Sequence, residues 1–432
     1  MLIPEKPLLK EKLEVKVLHS LSSSLPHIAG YTIRSHQILF HLKKYIKPLA
    51  IVDRIRKDED KNPNIIEDIP YFNLPSFPLS NEIEECYFTN ALRIPNLYKS
   101  IYNKIFLPSQ STTFISNLVK IHEIDLIHGH SPAKFSKYAY KVAKKNGIPF
   151  IYEVRGFIED TKVGLRKWNK NSKAYTKRKQ EETELMKKAD AIVTLGNAMK
   201  NDIISRGITS EKIFIVPNGV NINKFKPVDE NQKLKKKLGL KKNHVIGYIG
   251  SIRRIEGIEV LIKSFYYLTE KIENVKLLIV GPVRPDIYLE RLKNFCEKLE
   301  ITKDVIFTGK VPYEQINNYY SIIDIFVIPR LNLRVNRLVT PLKPLEVMAM
   351  GKVLIASDLP ALRELIKPGV SGILFEPENS KKLAKKLETC IDDEQKHKNL
   401  QKTSREYVIN TFSWSKIVKR YLTIYDNLIK NL

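Results

Sequence analysis

Val339 to Gly351 reads VTPLKPLEVMAMG and runs directly into Val353 to Ala356, VLIA. A helix start followed by a short β-branched run is one α/β unit. Thr340 is expected at the N-cap and Pro341 at the first helical position, where its missing N–H costs nothing. The first-turn amides, from Leu342 on, then carry the positive end of the helix dipole and favour an anion. Lys343 adds a full charge in that turn. Glu346, nearly one turn on, is an acceptor-only group suited to a pair of sugar hydroxyls. The segment reads as a seat for a nucleotide diphosphate; an ordinary helix start with an exposed Lys and Glu is the alternative.

Outward from it the same unit recurs. On the C-terminal side strands are expected at Val245–Ile249, Val275–Val280, Val305–Phe307, Ile323–Ile328, Val353–Ala356 and Ile373–Phe375, with helices from Ile258, Asp286, Tyr313, Pro341, Pro360 and Ser380. On the N-terminal side strands are expected at Val15–His19, Leu49–Val52, Asp125–Gly129, Phe150–Val154, Ala191–Leu195 and Ile213–Val216. Helices Thr32–Tyr45, Ala133–Asn146 and Asn197–Ser205 fall between them. The stretch 53–97, rich in Pro, Asn and acids, reads as short strands and a long surface excursion. The alternation predicts an α/β protein of two doubly wound parallel-sheet domains, 1–220 and 221–411, with ligands at the carboxyl strand ends in the crevice between them. The last helical stretch, 412–432, is expected to pack back on the first domain.

Composition agrees. A chain of 432 residues with 43% apolar content suits two soluble domains. No apolar run is long enough to span a membrane, and the N-terminus is too charged for a secretory signal, so a cytoplasmic protein is expected. Three scattered cysteines, Cys86, Cys296 and Cys390, predict neither a disulfide framework nor a zinc site. The formal charge of +26 predicts anionic partners. Lys162 to Lys179 holds eight Lys/Arg and no acid, with Trp168 and Tyr175 interleaved. Such a stretch suits an anionic membrane surface or a phosphate-bearing acceptor, or is simply a solvated face. With no zinc finger, aromatic RNA-binding pattern or obvious helix-turn-helix, and with the basic residues widely scattered along the chain, nucleic acid is not an expected partner.

Four further motifs carry candidate chemistry. Gly250, Ser251, Arg253 and Arg254 follow a strand in a glycine turn that lets amides approach a phosphate, with guanidinium forks to match. Gly30 and Tyr31 open the first-domain helix in the same way, with Arg34 in its first turn. His130, in His128-Gly129-His130-Ser131-Pro132, would emerge at the cleft edge to hydrogen-bond substrate, there being no third ligand at zinc spacing. Glu153, Arg155 and Glu159 crowd another strand end, where a carboxylate can act as base and Arg155 can bind phosphate; local Arg and Glu pairing is the structural reading of the same residues.

In this order the segments SLPHIAGYTIRSHQIL, DLIHGHSP, YEVRGFIED, VPNGVN, GSIRRIEG and VTPLKPLEVMAMGKVLIASDLPALRELI resemble the family 4 glycosyltransferases, which have the GT-B fold of two facing Rossmann-like domains. The chain looks closest to the exopolysaccharide and exosortase-associated branch. The resemblance implies retaining transfer from a nucleotide-diphosphate sugar, with no metal, to a glycan or lipid-linked oligosaccharide at the inner face of the membrane. It implies that His130 contacts the donor sugar, that Glu346 is the second glutamate of the E-x7-E motif and binds the ribose, and that the Gly30 loop lies near the diphosphate. Leu338 replaces the first glutamate, and Ser251 and Glu256 occupy the usual phosphate-binding Arg and Lys positions. Lys343, with arginines among Arg253, Arg254, Arg330, Arg334 and Arg337, is expected to neutralise the leaving diphosphate instead. Competing readings are a GT-B nucleotide-sugar epimerase or phosphorylase, and a non-catalytic glycosyltransferase-like binding protein.

Overall fold

A computed structural model describes residues 14–53, 62–74 and 109–430. Cys86, the charged N-terminus and most of the expected surface excursion lie outside the described residues. The first sheet contains β1 (Lys16–Leu21), β2 (Lys47–Val52), β3 (Asn64–Ile66), β4 (Ile69–Asn73), β5 (Leu126–His130), β6 (Phe150–Val154), β7 (Ala191–Thr194) and β8 (Ile213–Ile215). Its order is β3-β4-β2-β1-β5-β6-β7-β8. Every described pairing is parallel except β3 with β4, a hairpin turning on Glu67 and Asp68, both at positive φ. Glu-Asp is a poor sequence signal for that turn, which normally takes Asn-Gly or Asp-Gly.

The second sheet contains β9 (His244–Ile249), β10 (Val275–Val280), β11 (Val305–Gly309), β12 (Ile325–Ile328), β13 (Val353–Ser357) and β14 (Ile373–Phe375). It is parallel throughout in the order β11-β10-β9-β12-β13-β14. The direction of winding reverses between β1 and β5 in the first sheet and between β9 and β12 in the second, so each sheet has one crevice at its carboxyl edge.

The central strands of both sheets are buried on both faces and hence read as apolar runs, whereas the edge strands β3, β8, β11 and β14 are only partly covered. Helix Lys173–Lys188 is different: it begins within the basic stretch and buries only Tyr175, Glu182, Leu185 and Met186, too weak a stripe to stand out. Its Glu182 carboxylate accepts from the Ala133 amide and from Tyr152 Oη, capping the helix that follows β5. The chain leaves the second sheet through helix Glu394–Phe412, crosses at Ser413, which bridges to Val220, and returns as helices Trp414–Ile417 and Lys419–Lys430. Tyr421, Ile424 and Tyr425 then share one apolar cluster with Val17, Ile38 and Leu126 of the first domain. No described helix is long and apolar enough to cross a membrane.

One local expectation is corrected. The phosphate-loop helix is Lys343–Ala349, with Leu342 as N-cap and Pro344 in its first turn. The amides of Leu345 and Glu346 bond back to the Leu342 carbonyl. Thr340 and Pro341 precede the helix, because Asn218 Nδ2 claims the Thr340 carbonyl at 2.7 Å and its hydroxyl at 3.2 Å.

Candidate active site in the cleft between the two sheets

At the first crevice His19 of β1 stands in register with His128 of β5, and His130 lies two residues on along the same strand. Gly129 between the two histidines allows the Phe150 ring to close in: a Cβ there would sit 2.7 Å from it. The three imidazoles are entirely or almost entirely buried and stacked. Arg155 donates to His130 Nδ1, which leaves the proton on Nε2 to be donated to His19 Nδ1 at 3.0 Å. His128 Nδ1 accepts from Tyr425 Oη at 2.8 Å. Burial, reinforced by the neighbouring cations and imidazoles, holds His19 and His130 well below the usual histidine range, so they are neutral at pH 7. One ring nitrogen from each of the three lies within 4.8 Å of the other two. Even so, Arg155 takes one His130 lone pair and two arginines share the adjacent carboxylate, an arrangement that competes with any cation.

That carboxylate, Glu153, is wholly buried. It accepts from Arg155 Nε at 2.6 Å, Arg34 Nε at 3.0 Å and Tyr421 Oη at 2.5 Å. Burial works against its charge, but Arg155 and Arg34 outweigh this and hold it well below the usual carboxylate range. A base must be available to take a proton, and this group has no free face; the expected base role of Glu153 is corrected to a structural one. Arg34 and Arg155 are likewise committed rather than open to phosphate. Glu159 is buried against Arg206 at 3.4 Å, and burial raises its carboxyl to about 7. It faces the helix Asn197–Ser205 through Arg206 and Asp202, not the histidines.

The second crevice is more open. Gly250 follows β9 at φ 145°, and a Cβ there would lie 2.2 Å from Lys343 Cε. The lysine crosses over it to donate to Tyr248 Oη at 2.5 Å and Glu256 Oε2 at 3.1 Å. Tyr248 Oη lies 3.1 Å from the same carboxylate oxygen. Arg330 reaches Glu256 Oε1 at 3.4 Å and the Val339 carbonyl at 3.1 Å. Burial opposes the charge of Glu256, yet Arg330 and Lys343 bring its carboxyl down to about 2. Burial also lowers Lys343, against the pull of Glu256. Glu346, half-buried, accepts from Tyr320 Oη at 2.9 Å, and burial raises its carboxyl against the charges of Lys343 and Lys224. Lys224 lies over the Tyr313 ring, 3.3 Å from its centroid. Sequence reasoning missed Tyr248, Tyr313, Tyr320 and Lys224, since nothing local marks a tyrosine that becomes a cleft wall.

The remaining candidates divide. Arg253 Nε is buried without a partner beside Lys343, and Ser251 presents its carbonyl to Tyr248. Arg254 instead donates across the cleft to the Gly164 carbonyl at 2.8 Å. It also lines a groove of about 740 Å³, with Arg166, Tyr267 and Arg291, which neither Lys343 nor Glu346 enters. Arg334 is spent on Asp160 and Asp202 of the first domain. Arg337 is exposed. Leu338 packs against the first-domain core, a contact a glutamate could not make without losing its hydration. Gly30 faces Leu342 across the cleft, and Tyr31 is 44% exposed at its rim. Glu364 of the second domain closes the far side, accepting from the amides of Asn197 and Ala198 at 2.6 and 2.8 Å. In the basic stretch, Lys167, Lys170, Lys173, Lys177 and Lys179 are exposed, while Tyr175 is buried with its hydroxyl on Asp160.

Residues 75–224 match the profile of glycosyltransferase family 4, and residues 230–407 that of the glycosyl transferases group 1. An uncharacterized glycosyltransferase of Methanocaldococcus jannaschii is 27% identical over 94% of this chain and 96% of its own length. A capsular polysaccharide biosynthesis glycosyltransferase of Staphylococcus aureus is 26% identical over 65% of this chain and 70% of its own. Among solved structures, Anabaena HepE in complex with UDP superposes with TM-score 0.74 at 18% identity, covering 96% of this chain and 100% of that one. A glycosyltransferase of Rickettsia africae superposes at 0.73 with 20% identity, covering 97% and 100%. With two facing doubly wound domains and the two family models matched in consecutive segments, 75–224 and 230–407, the chain belongs to the family 4, group 1 glycosyltransferases of GT-B fold.

Proposed function

We propose that this protein is a retaining, metal-independent hexosyltransferase that moves a sugar from a nucleotide-diphosphate donor to a glycan or lipid-linked acceptor in surface polysaccharide or glycoconjugate synthesis. The observation that carries the reading is the pairing of Glu346 with Lys343 on one short helix: an acceptor-only carboxylate for ribose hydroxyls beside a cation for the diphosphate. Relatives support the product class, among them the capsular enzyme above and a lipopolysaccharide 1,2-N-acetylglucosaminetransferase of Salmonella typhimurium. HepE has been solved with UDP and with UDP-glucose, which makes a uridine diphosphate sugar the first donor to try.

In this reading the bond from the anomeric carbon to the diphosphate breaks as the acceptor oxygen bonds to that carbon on the same face, and the acceptor proton passes to the departing phosphate. Negative charge grows on the leaving oxygen. Fixed cations act most strongly on such charge, and Lys343 with Arg253 supplies them. Glu256, standing where a lysine is usual, orients Lys343 and spares it the full cost of burial. The +26 charge and the exposed lysines of 162–179 suit peripheral binding to an anionic membrane leaflet.

The test is sugar transfer from UDP-, GDP- and ADP-hexoses to membrane glycolipid fractions, with the anomeric configuration of donor and product read by NMR. Nucleotide diphosphate released only when acceptor is present, with configuration kept, supports the reading. Release without acceptor favours an epimerase, and inversion removes the retaining assignment.

A further inference from the structure

Arg34 is the most fully committed side chain in the molecule's centre. All five of its N–H groups donate: Nε to Glu153 at 3.0 Å, one terminal nitrogen to the Pro217 carbonyl at 2.9 Å and Asn218 Oδ1 at 3.1 Å, the other to the Val216 carbonyl and Tyr421 Oη, both at 2.9 Å. Val216 to Asn218 is where the chain leaves the first sheet for the second domain, and Tyr421 lies on the returning helix. Arg34 thus grips both connections between the domains. On one side the chain of bonds continues through Glu153 and Arg155 to His130. On the other it continues through Asn218 Nδ2 to the carbonyl and hydroxyl of Thr340, three residues before Lys343.

Resting on the glycosyltransferase reading, we propose that Arg34 and Asn218 are positioning residues that couple the placement of the second-domain donor loop to the orientation of His130 in the first. When the loop shifts, Asn218 moves with Thr340 and alters the bonds of Arg34; Glu153 and Arg155 pass the change to the His130 ring. The path is a run of buried and part-buried bonds, charge-assisted from Arg34 through Glu153 to Arg155 and neutral from Asn218 to Thr340, in which a shift of one member strains its neighbours' bonds.

The test compares wild type with Asn218→Ala and Asn218→Asp. Aspartate restores an acceptor for Arg34 but not the donor to Thr340. The readouts are kcat, the dissociation constant of UDP, and the ring-nitrogen resonances of His130 in histidine-labelled protein. Expected are a kcat about tenfold or more lower in both variants, UDP affinity within about twofold, and shifted His130 resonances. A wild-type kcat in Asn218→Asp, loss of UDP affinity in step with kcat, or unmoved His130 resonances overturns the coupling. Tyr421→Phe, which removes only one hydroxyl, gives the same decision should both Asn218 variants fail to fold. Should wild type itself bind no nucleotide and transfer no sugar, the glycosyltransferase reading falls, and the His130 resonances alone decide the coupling.

Discussion

The two crevices are built on the same topology and hold opposite kinds of polar site. Beneath the first, Glu153, Arg34 and Tyr421 are closed to solvent, Arg155 keeps 10% of its side chain exposed, and the four bond to one another, although His19 Nε2 and His128 Nε2 beside them are buried without a hydrogen-bond partner. Beneath the second, Lys343 keeps 20% of its side chain exposed, Glu346 is half-buried and Arg253 holds a nitrogen without a partner. A saturated network can hold geometry but has little left to offer a ligand; a cleft with spare donors and acceptors can bind one. In the proposed reading the first cluster is the frame and the second the seat.

Breaking the frame has the largest expected effect. Glu153→Ala leaves two arginines buried around a missing carboxylate and is expected to cost about 3–5 kcal/mol of stability, read from urea unfolding. A loss under about 1 kcal/mol would mean that the network is not load-sharing in the way its geometry states. In the seat, Lys343→Ala is expected to leave the fold intact and lower kcat about 10²- to 10³-fold, as removal of one preorganised donor does elsewhere. Unchanged kcat would hand the leaving-group role to Arg253.

A smaller effect sharpens the boundary between the two. Glu159 belongs to neither cluster, and its folded carboxyl titrates at about 7 against an ordinary 4.5. Between those values the unfolded chain ionises this group while the folded protein keeps its proton, so stability falls as pH rises from 4.5 to 7 and levels off above. Relative to Glu159→Gln, wild type is expected to lose up to about 3 kcal/mol across that window. Urea midpoints of both proteins at pH 5 and pH 7.5 measure this, and parallel profiles would contradict the burial of a protonated Glu159.

The sequence made most strands legible because they are short apolar runs, wholly buried at Phe150–Val154 and partly buried at the sheet edge Ile373–Phe375; these and Val275–Val280 begin and end where apolar spacing places them. That Lys343 and Glu346 share one short helix was legible too, since they sit within four residues of each other, and their role as a seat belongs to the proposal. The start of their helix was misplaced by two residues because Thr340, a good N-cap by type, is held by Asn218 from 122 residues away. Of the frame, only the local pairing of Arg155 with Glu153 was legible. Arg34, Glu153, Asn218 and Tyr421 come from four distant segments, and nothing in any one of them says that its charge is already matched. A carboxylate at a strand end looks like a base until its partners are known.

The central claim is that the nucleotide sits on the second-domain seat, while the first-domain cluster sets and transmits geometry without binding the nucleotide. Calorimetric titration of UDP, GDP and ADP into wild type, Glu346→Ala and Tyr421→Phe tests it most directly. The account predicts that one diphosphate binds wild type and Tyr421→Phe within about twofold of each other. In Glu346→Ala it predicts a loss of about 1.5–3 kcal/mol, the worth of hydrogen bonds to a charged group. Full affinity in Glu346→Ala, or affinity lost in Tyr421→Phe instead, would contradict it.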